Sequence, residues 1–199
     1  MEIMKQSRRK QIDIPSQEQI EAELNRIKYR SRYNRLLRST IYALLVVAAV
    51  VVLIATIWMP VLRIYGTSMA PNLQDGDIIV SMKTSHFQPG DIVSFYYNNK
   101  ILVKRVIASA GDYVNIDEDG NVYVNDVLLE EPYLEEKALG DCNIDLPYQV
   151  PDGKVFVMGD HRSASVDSRN TALGCIAQEQ VVGKSLLRVW PLNRFGIVE

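Results

Sequence analysis

The chain has 199 residues, 47% of them hydrophobic and 23% charged, with a formal net charge of −2. That length accommodates one ordinary domain and an additional segment, and hardly two full domains. The near-neutral balance excludes the strongly basic class, so nucleic acid is not an expected partner. The two cysteines, Cys142 and Cys175, are too few for a disulfide framework and lack zinc spacing, so neither a metal nor another cofactor is expected.

The charge is unevenly spread. Residues 1–40 hold ten Lys and Arg against five Asp and Glu, while the remaining residues hold twelve against nineteen. A single surface in one solvent usually intersperses its signs, so this division points to two compartments. In chain order, Ser16 and Gln19 form a capping-box pattern, and Ile20, Leu24 and Ile27 then share one helical face. That helix either lies at an interface or against a partner, or it extends the following apolar segment; the second reading is preferred. Ile41 to Met59 is nineteen residues without a charge. About twenty apolar residues cross a bilayer core of roughly 30 Å as a helix. The basic region before it is too long for a removable secretory signal, and Pro60 stands just past the run, where helices commonly stop. From Arg26 to Arg38 there are six basic residues and no acid, whereas Arg63 is the only charge between the run and Asp75. Positive flanks stay cytoplasmic. The expected organisation is therefore a cytoplasmic basic tail over 1–38, helical from 16, a transmembrane helix over 39–60, and an exterior domain over 61–199.

Beyond Pro60 the periodicity changes to short β-rich runs at Ile78 to Val80, Asp91 to Phe95, Ile101 to Ile107 and Val155 to Met158. Val114 to Ile116 and Val122 to Val124 flank Asp119-Gly120, a hairpin signal, and Gly76-Asp77, Gly90-Asp91 and Gly111-Asp112 read as turns. The predicted fold class is mostly β, a compact antiparallel domain anchored by one N-terminal transmembrane helix. If that domain is extracellular, the two cysteines are free to pair; equally, each can be a small buried thiol.

Three polar segments carry candidate chemistry. The first runs from Tyr65 through Gly66, Ser68, Met69 and Pro71 to Leu73. In the second, Lys104 and Arg105 interrupt the apolar run with Leu102 and Val103 before them and Val106 and Ile107 after. An unpaired lysine in such a strand is costly, and the ordinary outcome is that it snorkels to the surface. The third, Gly159 to Arg169, contains Asp160, His161, Ser165 and Asp167 directly after a predicted strand.

Ser-Met-x-Pro, then Lys-Arg-Val-Ile, then Gly-Asp-x-Arg-x-x-Ser-x-Asp-Ser-Arg, in that order, resembles the bacterial type I signal peptidases, single-span Gram-positive type. The likeness covers about Ile64 to Lys184 and includes VNDVLLEEPYL, similar to a hairpin of that family. It implies a membrane-bound serine endopeptidase that removes signal peptides from exported preproteins, with preproteins and the lipid bilayer as partners. The implied location is the plasma membrane, crossed once. By resemblance Ser68 is the nucleophile and Lys104 its base. Ser165 orients the lysine amine, while Asp160, Asp167, Arg169 and Arg105 hold the site together. Gly66 stands where some members carry a serine that donates to the oxyanion. His161, Ala164 and Ala108-Ser109-Ala110 depart from the family's common residues. A dedicated processing or assembly factor for pilins or a secretion system is the alternative.

The chemistry fits the match. A serine hydroxyl needs a base, and a neutral lysine amine can serve. Ordinary lysine, with a pKa of about 10.4, is neutral in roughly one molecule in 2,500 at pH 7, so desolvation among apolar neighbours must lower it. Leu62 and Ile64, alternating with Arg63 and Tyr65, share a face, and with Met69, Leu73, Leu102 and Val103 they are expected to line shallow pockets. Such pockets admit small side chains, giving an Ala-x-Ala requirement before the cut.

Overall fold

The computed structural model describes residues 16–198. One continuous helix, α1, spans Gln17–Trp58. It opens on a reciprocal cap, in which Ser16 N–H donates to Gln19 Oε1 at 3.0 Å and Gln19 N–H donates to Ser16 Oγ at 3.3 Å. None of its residues is buried, and it is long and apolar enough to cross a membrane. The described chain divides at Leu53–Ile54 into two compact units.

The second unit is built on twelve strands. They are β1 (Val61–Arg63), β2 (Ile78–Met82), β3 (Ile92–Tyr97), β4 (Lys100–Ser109), β5 (Tyr113–Ile116) and β6 (Val122–Val124). After these come β7 (Val127–Leu128), β8 (Tyr148–Gln149), β9 (Lys154–Met158), β10 (Ile176–Ala177), β11 (Val181–Trp190) and β12 (Gly196–Ile197). Every pairing is antiparallel. The larger sheet has the order β1-β2-β11-β3-β4-β9-β10, with β12 added to β11, and the smaller has the order β7-β6-β5-β8. The mostly β class predicted from the sequence is the class observed. The hairpin at Asp119-Gly120 joins β5 to β6 with Ile116 opposite Val122. Asn125 and Asp126, both at positive φ, turn β6 into β7, as asparagine and aspartate tolerate better than other side chains. Where no strand was expected, β11 runs through the centre of the larger sheet, between β2 and β3.

Three clusters fill the interior. Ile107, Val114, Ile116, Val122, Phe156 and Met158 join the small sheet to β4 and β9, and Val93, Phe95, Val106, Val157 and Ile176 form a second group. A third, Ile64, Met69, Leu73, Ile79 and Ile92, lies under the segment that carries Ser68. Fully burying side chains of this size contributes about 1.5–3 kcal/mol each, and that fixes the loops on which the polar residues stand. Cys142 and Cys175 are free thiols, and burial raises the pKa of Cys175 to about 11.

Candidate active site

β4 is paired unequally along its length. Lys100 to Arg105 bond to β3, but β9 bonds only from Arg105 to Ser109. Lys100–Val103 therefore leaves one edge open. At the other end of the sheet order β1 has β2 as its single neighbour. A cleft of about 740 Å³ is lined by these two segments, residues 61–66 and 100–103, and by Ser68 and Met69. Of the expected pocket residues, Leu62, Ile64, Met69, Leu102 and Val103 line this cleft, as does Gly66. Leu73 does not: it is fully buried in the cluster beneath, because the turn bonding Leu73 N–H to Met69 C=O at 2.8 Å folds it inward. Val61, Tyr65 and Ile101, not anticipated, also face the cleft.

Ser68 sits half-buried on the loop between β1 and β2. Its carbonyl accepts from His161 N–H at 3.0 Å, tying the loop to the segment after β9. Gly159 makes that approach possible, since a Cβ there would stand 2.5 Å from the Ser68 carbonyl oxygen and would also collide with the Ser165 side chain. The carbonyl of Ser68 and the hydroxyl of Ser165 thus converge on one glycine. Ser165 is 2% exposed, and its Oγ has no well-formed hydrogen bond among the described residues, although it lies near enough to Asp167 to help lower that carboxyl. Gly66 N–H is taken by Asp75 Oδ1 at 2.8 Å.

Lys104 is 3% exposed on β4. Burial pushes its amine down to about 8; Asp167 and Asp160 oppose the shift by attraction, and Arg169 adds to it by repulsion. Each acid is also engaged by an arginine at two points. Arg105 Nε and Nη2 donate to Asp160 Oδ1 and Oδ2 at 2.9 and 2.8 Å. Arg169 Nε and Nη2 donate to Asp167 Oδ1 and Oδ2, both at 2.8 Å. Burial would raise the Asp167 carboxyl, but the Arg169 bonds and charge and Gly159 N–H, at 2.9 Å, hold it below its ordinary value. A third pair, Arg162 with Glu131, is bidentate and equally buried. Fork-on-fork geometry of this kind satisfies the charges that burial strips of water.

The description "Signal peptidase, peptidase S26" matches residues 37–190. The chain belongs to this signal peptidase family. Signal peptidase I of Bacillus licheniformis is 36% identical over 76% of this chain and 87% of its own length, and signal peptidase IB of Staphylococcus aureus (strain COL) is 39% identical over 66% and 78%. The chloroplast thylakoidal processing peptidase 1 of Arabidopsis thaliana is 37% identical over 64% of this chain, which spans 41% of that longer relative.

Within this peptidase, three supporting residues lie in stretches the sequence singled out but were not themselves expected at the site. Asn72 Nδ2 donates to Asp160 Oδ2 at 2.7 Å and to Tyr133 C=O at 2.9 Å. The Tyr133 ring lies 3.8 Å from the Arg105 guanidinium carbon, and its hydroxyl donates to Glu131 at 2.9 Å. Glu131 completes the set through Arg162. Apart from the local Tyr133–Glu131 bond, these contacts bridge 28 to 88 residues of sequence, so no local spacing marks them. His161, by contrast, contributes its main chain; its Nδ1 is buried without a hydrogen-bond partner among the described residues. No group of acids, histidines or cysteines suited to a metal occurs among those residues.

Proposed function

We propose that this chain is a membrane-anchored serine endopeptidase that removes N-terminal signal peptides from exported preproteins, cutting after Ala-x-Ala-like sites with Ser68 as nucleophile and Lys104 as base. The observation that carries the reading is the state of Lys104: buried, lowered to about 8, and surrounded by acids already paired to arginines. At neutral pH such an amine is deprotonated in about a tenth of molecules, roughly 250 times more often than free lysine.

In this reading an extended substrate lies in the cleft, adding main-chain bonds to the open edges of β1 and β4. Lys104 takes the proton as Ser68 Oγ attacks the scissile carbonyl. Charge developing on that oxygen is met by Ser68 N–H, since Gly66 N–H is occupied by Asp75. The protonated amine of Lys104 then gives its proton to the departing amine, and the acyl group stays on Ser68. Next the amine, neutral again, deprotonates the water that hydrolyses this ester. Ser165, with its unsatisfied hydroxyl, holds the amine in line. Leu62, Ile64, Met69, Leu102 and Val103 limit the side chains admitted before the cut to small ones.

We further propose that α1 crosses the plasma membrane once with its basic end in the cytoplasm, which sets the β domain on the side where preproteins emerge. The deciding experiment is cleavage of a preprotein in detergent by wild type, Ser68→Ala and Lys104→Ala. Both variants should lose cleavage while keeping the wild-type circular dichroism. Retained activity in either would remove the dyad.

A further inference from the structure

The loop that carries Ser68 is fixed from a direction the proposed chemistry does not use. Two consecutive carbonyls on it, those of Pro71 and Asn72, accept from arginines near the end of the chain. Arg188 Nη1 donates to Asn72 C=O at 2.7 Å, and Arg194 Nη2 donates to Pro71 C=O at 3.1 Å and Asn72 C=O at 3.2 Å. The two arginines are also bound together, Arg188 Nε donating to Arg194 C=O at 2.5 Å. Both pair with buried Asp77, at 3.5 and 3.4 Å. Asp77 closes the loop from its other end: its carboxylate accepts from Gln74 N–H at 3.0 Å, and its carbonyl accepts from Ile64 N–H at 2.8 Å. The segment that presents Arg194 is short but anchored. Leu192–Arg194 is a single 3-10 turn, β12 pairs back onto β11, and Val198 packs on the cluster beneath Ser68. Two guanidinium groups facing one carboxylate leave donors and positive charge over, and the loop carbonyls take them. Arg194 lies beyond residue 190, where the family match ends.

We propose that Arg188 and Arg194 are positioning residues for the nucleophile, and that the turn after Pro191 is a working part of the site. Neither touches the reacting atoms. They hold the main chain of Pro71 and Asn72, and through it the placement of Ser68 relative to the base. The inference rests on the proposed role of Ser68, but its principal readout does not require a substrate.

The test uses the full chain in detergent micelles, with Arg194→Ala and Arg194→Lys. Hydrogen exchange of the Gly66–Asp77 segment should accelerate in Arg194→Ala while β4 and β9 keep wild-type protection. Where wild type cleaves a preprotein, kcat of that variant should fall roughly 10- to 100-fold with KM within about twofold, as small misplacements of reacting groups do. Added guanidinium should restore part of the loss. The pH midpoint should not move, because the groups around Lys104 are untouched. Arg194→Lys, which cannot bridge two carbonyls and a carboxylate, should remain impaired. Unchanged loop exchange in Arg194→Ala would overturn the proposal, whether or not the wild type is a signal peptidase. So would a kcat loss that merely tracks the unfolded fraction.

Discussion

Around Lys104 the acids and bases are arranged so that attraction cannot undo desolvation. Asp160 and Asp167 each favour an ammonium, but Arg105 and Arg169 engage them with doubled bonds of 2.8–2.9 Å. Activity that needs the neutral amine should rise with pH through a midpoint near 8, read from initial rates between pH 6 and 11. Because Arg169 repels the charged form, Arg169→Gln should move that midpoint upward, measured on protein that keeps the wild-type circular dichroism. A stability consequence has the matching sign. The folded amine is lowered while the unfolded one is not, so between about 8 and 10.5 the unfolded chain binds the extra proton and stability increases with pH. Lys104→Met should therefore be more stable than wild type at pH 7, by up to about 3 kcal/mol at 1.36 kcal/mol per unit. The advantage should shrink toward pH 10.5, as followed by urea unfolding across that range.

Among the elements, β2 to β6 and β9, with the β5–β6 hairpin, were legible because alternation and Asp-Gly turns are local signals, whereas the two-residue strands β7, β8, β10 and β12 were too short to show. β11 was not. Its register shifts between Val181 and Gly183, between Ser185 and Leu187, and between Arg188 and Trp190, so its side chains never keep a period of two for long. The three segments holding Ser68, Lys104 and Ser165 stood out through resemblance, and the structure brings the Ser68 carbonyl and the Ser165 side chain together at Gly159. The roles of Asn72, Glu131, Tyr133, Arg188 and Arg194 were not legible, because each also acts on residues distant in sequence. The loop from Glu131 to Asn143 shows how much rests on such contacts: Arg169 Nη1 donates to Ala138 and Leu139 C=O, and Asn143 N–H to Arg169 C=O. Glu131→Ala should strand Arg162 in the interior and cost about 3–5 kcal/mol, visible as a lowered thermal midpoint. Gly159→Ala should be worse for catalysis than for stability, since its methyl group would displace Ser68 and Ser165 together. The expected loss in kcat is on the order of 100-fold, checked by preprotein cleavage at a temperature where the variant is folded.

For the whole molecule, the helix and the β unit answer different questions, access and chemistry. A protein starting at Trp58 should cleave a short soluble peptide as the full chain does. On a preprotein embedded in vesicles its kcat/KM should drop by about 100-fold or more, because confinement to one surface supplies effective concentration without new contacts. Equal rates on the vesicle substrate would contradict membrane recruitment as the role of α1. The position of β11 bears on when the enzyme comes into being. β2 and β3 are consecutive in the chain, yet the strand that stands between them follows β3 to β10. Until β11 is in place, β1-β2 and β3-β4-β9-β10 share no strand pairing, so the loop carrying Ser68 and the strand carrying Lys104 gain their common sheet only with it.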